Sequence, residues 1–194
     1  QRKSIYSWRQ NVLEGKNLRE DMLRLIKESV LDSVDYYISL KLESGGWDRN
    51  GLVSWFRQKF GTEVILNDAD ELSREDIENL LGEKAIKAFE EKEKSFGEEQ
   101  MRKLEQLLLL DRIDIKWKDH LYAMDHLKSG IGLRGYAQID PKVEYKREAL
   151  AMFESMGTSI REEVTELIFK LQLKTEEESR PRDVWHEDSF VYQD

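Results

Sequence analysis

Apolar residues recur along this chain at intervals of three and four, the spacing that lines one face of an α-helix. The clearest stripe is Leu18, Met22, Leu25, Ile26, Ser29, Val30, Val34, Tyr37 and Ile38. It predicts a core-facing helix running to about residue 43, opened by Asn17 with Glu20 as capping-box partner and closed by Gly45 and Gly46. A shorter helix over 1–13 turns Ile5, Trp8 and Val12 inward and breaks at Gly15. Residues 47–60 predict a compact helix capped by Asp48, with Leu52, Trp55, Phe56 and Phe60 as a small aromatic core. Residues 62–66 read as extended but are too short to imply a sheet.

The next segment opens on Ser73, with Asp76 at the third helical position and Leu72 placed to staple onto Ile77. Gly82 is expected to separate a helix over 72–81 from a charged one over 84–95, whose stripe is only Ala85, Ala88 and Phe89. Gly97 is expected to kink the chain before the most apolar region.

That region, residues 100–174, is the organising stretch: two long helical patterns around the loop SGIGLRGYAQIDP. On the first arm Leu104, Leu108, Ile115 and Tyr122 lie on one side, and Leu110, Ile113, Trp117, Leu121 and Met124 nearly opposite. Such a helix packs between partners. Gly130 marks its stop. Asp140 then caps the second arm and Pro141 takes its first position, where a missing N–H costs nothing. Ala149, Phe153, Met156, Ile160, Val164, Leu167 and Leu171 form a near-heptad stripe, as in an antiparallel hairpin. The expected seam sets Leu110, Trp117, Leu121 and Met124 against Phe153, Ile160 and Val164. Gly157 and Thr158 weaken the arm locally.

The reading is therefore all-α: long scaffold helices, a compact helical subdomain over 46–82 inserted between them, and an antiparallel helical hairpin. The expected divisions fall at 1–44, 45–97 and 98–174, with 175–194 as a disordered or peptide-like tail.

Composition narrows the chemistry. Charged residues reach 37% against 39% apolar, which suits long helices with solvated faces. A net charge of -9 argues against nucleic acid as a partner. With no cysteine there is no disulfide, thiol nucleophile or cysteine zinc site, which fits a reducing compartment. No apolar window is long enough to span a membrane, and the start, QRKSIYSWRQNV, has no Met and no apolar signal segment, as expected of an excised piece.

No catalytic, cofactor-binding or metal-binding residues are assigned. GIGLRG lacks the preceding strand of a dinucleotide fingerprint, and no Lys-Ser or Lys-Thr pair follows it. His120 and His126, six apart, sit on different helix faces, so they are read as surface histidines; a metal enzyme using them with Asp111, Asp114, Asp119 or Asp125 is the minor alternative.

The loop is the better candidate. Arg134 and Tyr136 stand among small residues, and Ile131, Leu133 and Ile139 add apolar surface. One reading is a turn that packs back on its arms. The other is an exposed tip whose tyrosine offers a rigid ring and whose arginine offers a fixed fork of donors. Lys142, Lys146 and Arg147 either meet an acidic surface or balance Asp140, Glu144 and Glu148.

The run WKDHLYAMDHLKSGIGLRGYAQIDPKVEYKREALAMFESM, over 117–156, resembles the SecA preprotein translocase ATPase family, as does QRKSIYSWRQNVLEG at the start. The likeness covers about residues 1–174, and LRGYAQ with DPKVEYKRE makes it specific. It implies an elongated helical scaffold over 1–44 and part of 98–174, a small helical wing subdomain over 45–97, and an antiparallel two-helix finger within 98–174. It also implies a parent protein that couples ATP and Mg to the movement of unfolded preproteins through the SecY channel. The finger would enter the channel mouth, with Ile131, Leu133, Arg134, Tyr136 and Gln138 as tip residues contacting polypeptide or channel. Partners would be preprotein, the SecY complex and the parent's motor domains. The site of action would be the cytoplasm and the cytoplasmic face of the membrane, held there peripherally. This segment itself carries no nucleotide motif, and its ending, DVWHEDSFVYQD, does not match the family's cysteine-rich zinc tail, so binding of the chaperone SecB is unsupported. The competing class is a stand-alone helical interaction adaptor. A GxxxxGK[ST] segment in the upstream reading frame would decide against it.

Overall fold

The computed structural model describes residues 1–39, 46–66, 72–131 and 140–172. Among these it has six α-helices and no strand: α1 (Arg2–Leu13), α2 (Leu18–Ser39), α3 (Arg49–Phe60), α4 (Arg74–Phe96), α5 (Glu98–Ile131) and α6 (Pro141–Lys170). At 1.5 Å per residue, α5 and α6 are about 51 and 45 Å long. The tail from residue 175 and the end of the helix read to residue 43 lie outside the described residues.

One apolar cluster joins all six helices. Its centre is α2, whose Leu18, Met22, Leu25, Ile26, Ser29, Val30 and Val34 are all buried, the stripe read from sequence up to its last two members, Tyr37 and Ile38, which are half-buried. Asn17 departs from its expected role. Its backbone is left-handed (φ 56°), a region Asn tolerates, and its carbonyl accepts the Asp21 N–H at 2.8 Å. No side-chain capping bond from it to the helix occurs among the described residues. Asp48 does cap α3, accepting from the Gly51 N–H at 2.9 Å, and Asp140 caps α6 through the Lys142 N–H at 2.8 Å. Residues 62–66 form no strand, yet Val64 and Leu66 are buried beneath that stretch.

Gly82 does not separate two helices. The capping box of Ser73 and Asp76 opens a single helix that continues through Gly82 to Phe96. Ile77, Leu81, Ala85 and Phe89, four apart, are all buried, so one continuous apolar stripe holds the helix together. That packing outweighs the cost of about 1 kcal/mol for one interior glycine. The break falls at Gly97, with φ 82° and ψ 142°.

The buried side of α5 differs from the sequence expectation. Met101, Glu105, Leu108, Leu109, Ile113 and His120 are inside, whereas Ile115, Leu121 and Tyr122 are exposed. At 100° per residue, the buried direction rotates by about 100° between Met101 and His120. The rotation follows a change of partners. Arg102 meets Glu93 of α4, Gln106 donates to the carbonyls of Val12 and Leu13 closing α1, and Arg112 meets Glu163 of α6.

Candidate functional site

The candidate site is the arm formed by α5 and α6, with the scaffold that roots it. The helices run antiparallel: Arg112 pairs with Glu163, whereas His120, further along α5, meets Phe153, further back on α6. Ala149, Met156, Ile160, Val164 and Ile168 are the buried stripe of α6; Phe153 and Leu167 are half-buried and Leu171 is exposed. On the α5 side the expected seam is corrected. Leu121 is exposed, Leu110, Trp117 and Met124 are half-buried, and Leu108, Leu109, Ile113 and His120 lie inside. Gly157 and Thr158 leave the helix unbroken.

His120 is not a surface histidine. It is 5% exposed, its ring stacks on Trp117 with centroids 5.5 Å apart, and the Phe153 ring meets it edge-on at 5.7 Å. Burial holds its imidazole below the ordinary value. Its Nε2 lies 3.2 Å from Gln1 Oε1, and the Gln1 amide donates to the Ala149 carbonyl at 2.9 Å. The start of α1 therefore ties both helices of the arm. Further along, Tyr6 sits edge-on to Trp117, and Arg9 grips Asp114 through two bonds of 2.6 and 2.9 Å. The Arg9 bonds come first among the causes that hold the Asp114 carboxyl below its usual range. These are long-range contacts, and no local pattern in the sequence announces them.

Charge closes the arm on its other side. Lys116 and Arg112 both engage Glu163. Burial pushes that carboxyl up, but hydrogen bonds from the two cations prevail and leave it below its ordinary value.

Beyond His120, α5 continues to Ile131, about 16 Å further. Of the five tip residues read from sequence, Ile131 is the last residue of α5 and is buried at 7% exposure. Leu133, Arg134, Tyr136 and Gln138 lie outside the described residues. Lys142, Lys146 and Arg147 are exposed on the first turns of α6, and Arg147 pairs with Glu144 at 2.5 Å. Among the described residues no three His, Asp or Glu side chains converge as a metal site, and no helix is long and apolar enough to cross a membrane.

Six helices on one core, with a pinned antiparallel pair extending from it, define a helical scaffold that carries an arm. The family model for the SecA wing and scaffold domain matches residues 1–172, and the chain belongs to that family. It is 42% identical over 176 residues to the protein translocase subunit SecA of Thermodesulfovibrio yellowstonii, covering 91% of this chain and 19% of that protein. The SecA subunits of Geotalea uraniireducens and Geobacter metallireducens are 40% and 38% identical over 180 residues, 92% of this chain and 20% of each relative. The chain thus spans about a fifth of the length of these relatives.

Proposed function

We propose that this chain is the wing and scaffold part of a protein-translocating ATPase, with residues 45–97 as the wing and the α5–α6 pair as its finger. The finger carries Tyr136, with Leu133, Arg134 and Gln138 beside it, to an unfolded preprotein at the cytoplasmic mouth of the SecY channel. The supporting observation is the antiparallel pair whose ends, Ile131 and Asp140, bracket that loop and which α1 pins part-way along its length through Gln1 and Arg9. A stiff pair rooted in this way passes a displacement of α1 to the loop with little loss, because packed helices respond as bodies.

Power comes from elsewhere in this reading. ATP and Mg are held by motor domains of the same protein. The chain works in the cytoplasm and at the cytoplasmic membrane face, attached through the channel.

Site-specific photocross-linking from position 136 in the full-length protein, assembled with channel and a stalled preprotein, tests this. The expected product joins position 136 to preprotein or channel. Cross-links confined to the neighbouring arms would refute the reading.

A further inference from the structure

Helices α4 and α5 are joined by a single residue. Gly97 lies at φ 82° and ψ 142°, a region that side chains other than glycine's rarely enter. An added Cβ there would meet nothing within 4 Å, so conformation rather than space demands the glycine. The hydrogen-bond ladder nearly bridges the break: the Gly97 N–H donates to Glu93 and its carbonyl accepts from Met101, at 2.9 and 3.0 Å. Away from the joint α4 is held by its buried stripe and by Lys92, which donates to the Phe169 and Leu171 carbonyls at the end of α6, and the joint itself needs restraints beyond its backbone.

Side chains supply them. Arg102, one turn into α5, reaches back across the joint to Glu93, one turn before the end of α4. The same guanidinium donates to both oxygens of Glu105, at 2.8 and 2.6 Å. Glu105 is fully buried, which fixes its end of the chain of contacts. From α2, Arg19 donates to Glu93 at 3.2 Å and to Glu90 at 3.1 Å, holding the other end. Three helices thus meet in one alternating row of charges beside a glycine joint. Charged groups taken from water cost more than they return unless their geometry is held, so such a row favours one arrangement over its neighbours.

We propose that Gly97 is a hinge and that Arg102, strapped to Glu93, is the latch that fixes the angle between the wing helix α4 and the finger helix α5. Opening the latch lets the angle at Gly97 vary within the slack that the packing of α4 on its neighbours allows, while the α5–α6 pair keeps its own packing. The inference concerns the wing's orientation and does not depend on what the finger touches.

The test is a distance measurement by electron spin resonance in the full-length protein, with spin labels on cysteines replacing exposed Lys87 of α4 and Lys118 of α5. A control pair replaces Lys118 and Ser155, both exposed on the arm. The native latch gives one narrow distance between positions 87 and 118. Arg102→Met broadens it or adds a second distance several ångströms away, and the control distance stays put. If Arg102→Met also disturbs the control pair, the milder Glu93→Gln replaces it with the same expectation. A single unchanged distance in a variant whose control is intact overturns the proposal.

Discussion

Lys59 of α3 and Glu162 of α6 form an ion pair in which the lysine side chain is only 7% exposed. The ammonium also donates to Ser29 of α2 at 2.8 Å and lies 5.5 Å from the Trp55 ring centroid. One cation thus fastens three helices. Burial lowers its pKa, and the hydrogen bond to Glu162 opposes that shift without cancelling it. Removing the cation leaves Glu162 facing an emptied polar site, whereas removing the carboxylate leaves a buried charge. Lys59→Ala should therefore destabilise by about 2–4 kcal/mol, and Glu162→Ala by a comparable amount. The double variant should lose less than the two single losses added together, a coupling that denaturant melts of all three would reveal.

Glu105 sets a pH dependence. Burial pushes its carboxyl up to about 7, against the pull of Arg102 and Arg19, with Glu20 adding a smaller upward push. The native state therefore holds a proton that the unfolded chain has already released. Between roughly pH 4.5 and 7 this group alone makes stability fall as pH rises, and above pH 7 the loss is complete. Glu105→Gln should remove that slope and raise stability at pH 8 by about 1–3 kcal/mol. Urea titrations of both proteins at pH 5 and pH 8 would check it. A variant less stable than wild type at pH 8 would contradict the assignment.

Two glycines give opposite expectations. Gly82 lies inside α4 with ordinary helical backbone, and an added Cβ would meet nothing within 4 Å. Gly82→Ala should stabilise by about 0.4–1 kcal/mol, mainly by restricting the unfolded chain. Gly97→Ala, at φ 82°, should destabilise by about 1–3 kcal/mol despite equal room. Thermal melts of the pair separate conformation from space as the cause.

The same two positions show where sequence is informative. Helix faces were legible wherever one stripe met one partner, as along α2, because a fixed period makes inward residues predictable. The start of α6 was legible because Asp140 and Pro141 carry their geometry in their own chemistry. Gly82 misled because its tendency to break a helix is about 1 kcal/mol, while the stripe from Ile77 to Phe89 supplies several buried side chains. The inward side of α5 misled because its neighbours change along its length, so no single period describes it. His120 lay beyond local reading altogether: its partners Gln1 and Phe153 are 119 and 33 positions away. Glu105 did leave a signal, a lone acid inside the apolar run LEQLLLL. Of the tip, only Ile131 falls among the described residues.

The loop prediction can be separated from folding. In sequence Tyr136 lies between α5 and α6 and belongs to neither, so Tyr136→Ala should shift the melting temperature little. In the full-length protein it should reduce preprotein export strongly, with Tyr136→Phe retaining more activity if the ring matters more than the hydroxyl. An in vitro translocation assay beside a thermal melt checks both halves. Normal export by Tyr136→Ala would remove the loop from the mechanism.

The stiffness of the α5–α6 pair depends on which residues form its seam. Ile113 and Ile160 are fully buried on facing arms, whereas Leu121 is 38% exposed although its spacing matched a seam position. Ile113→Ala or Ile160→Ala should each cost about 2–5 kcal/mol, because deletion leaves a cavity between helices that cannot close on it. Leu121→Ala should cost under about 1 kcal/mol, since water already reaches that side chain. If movement passes along the arm as a rigid body, the two buried variants should also slow export at temperatures where they remain folded. Leu121→Ala should leave the export rate near wild type. Equal stability losses at Ile113 and Leu121 would mean that α5 is rotated about its axis from the orientation described, and that the seam lies elsewhere.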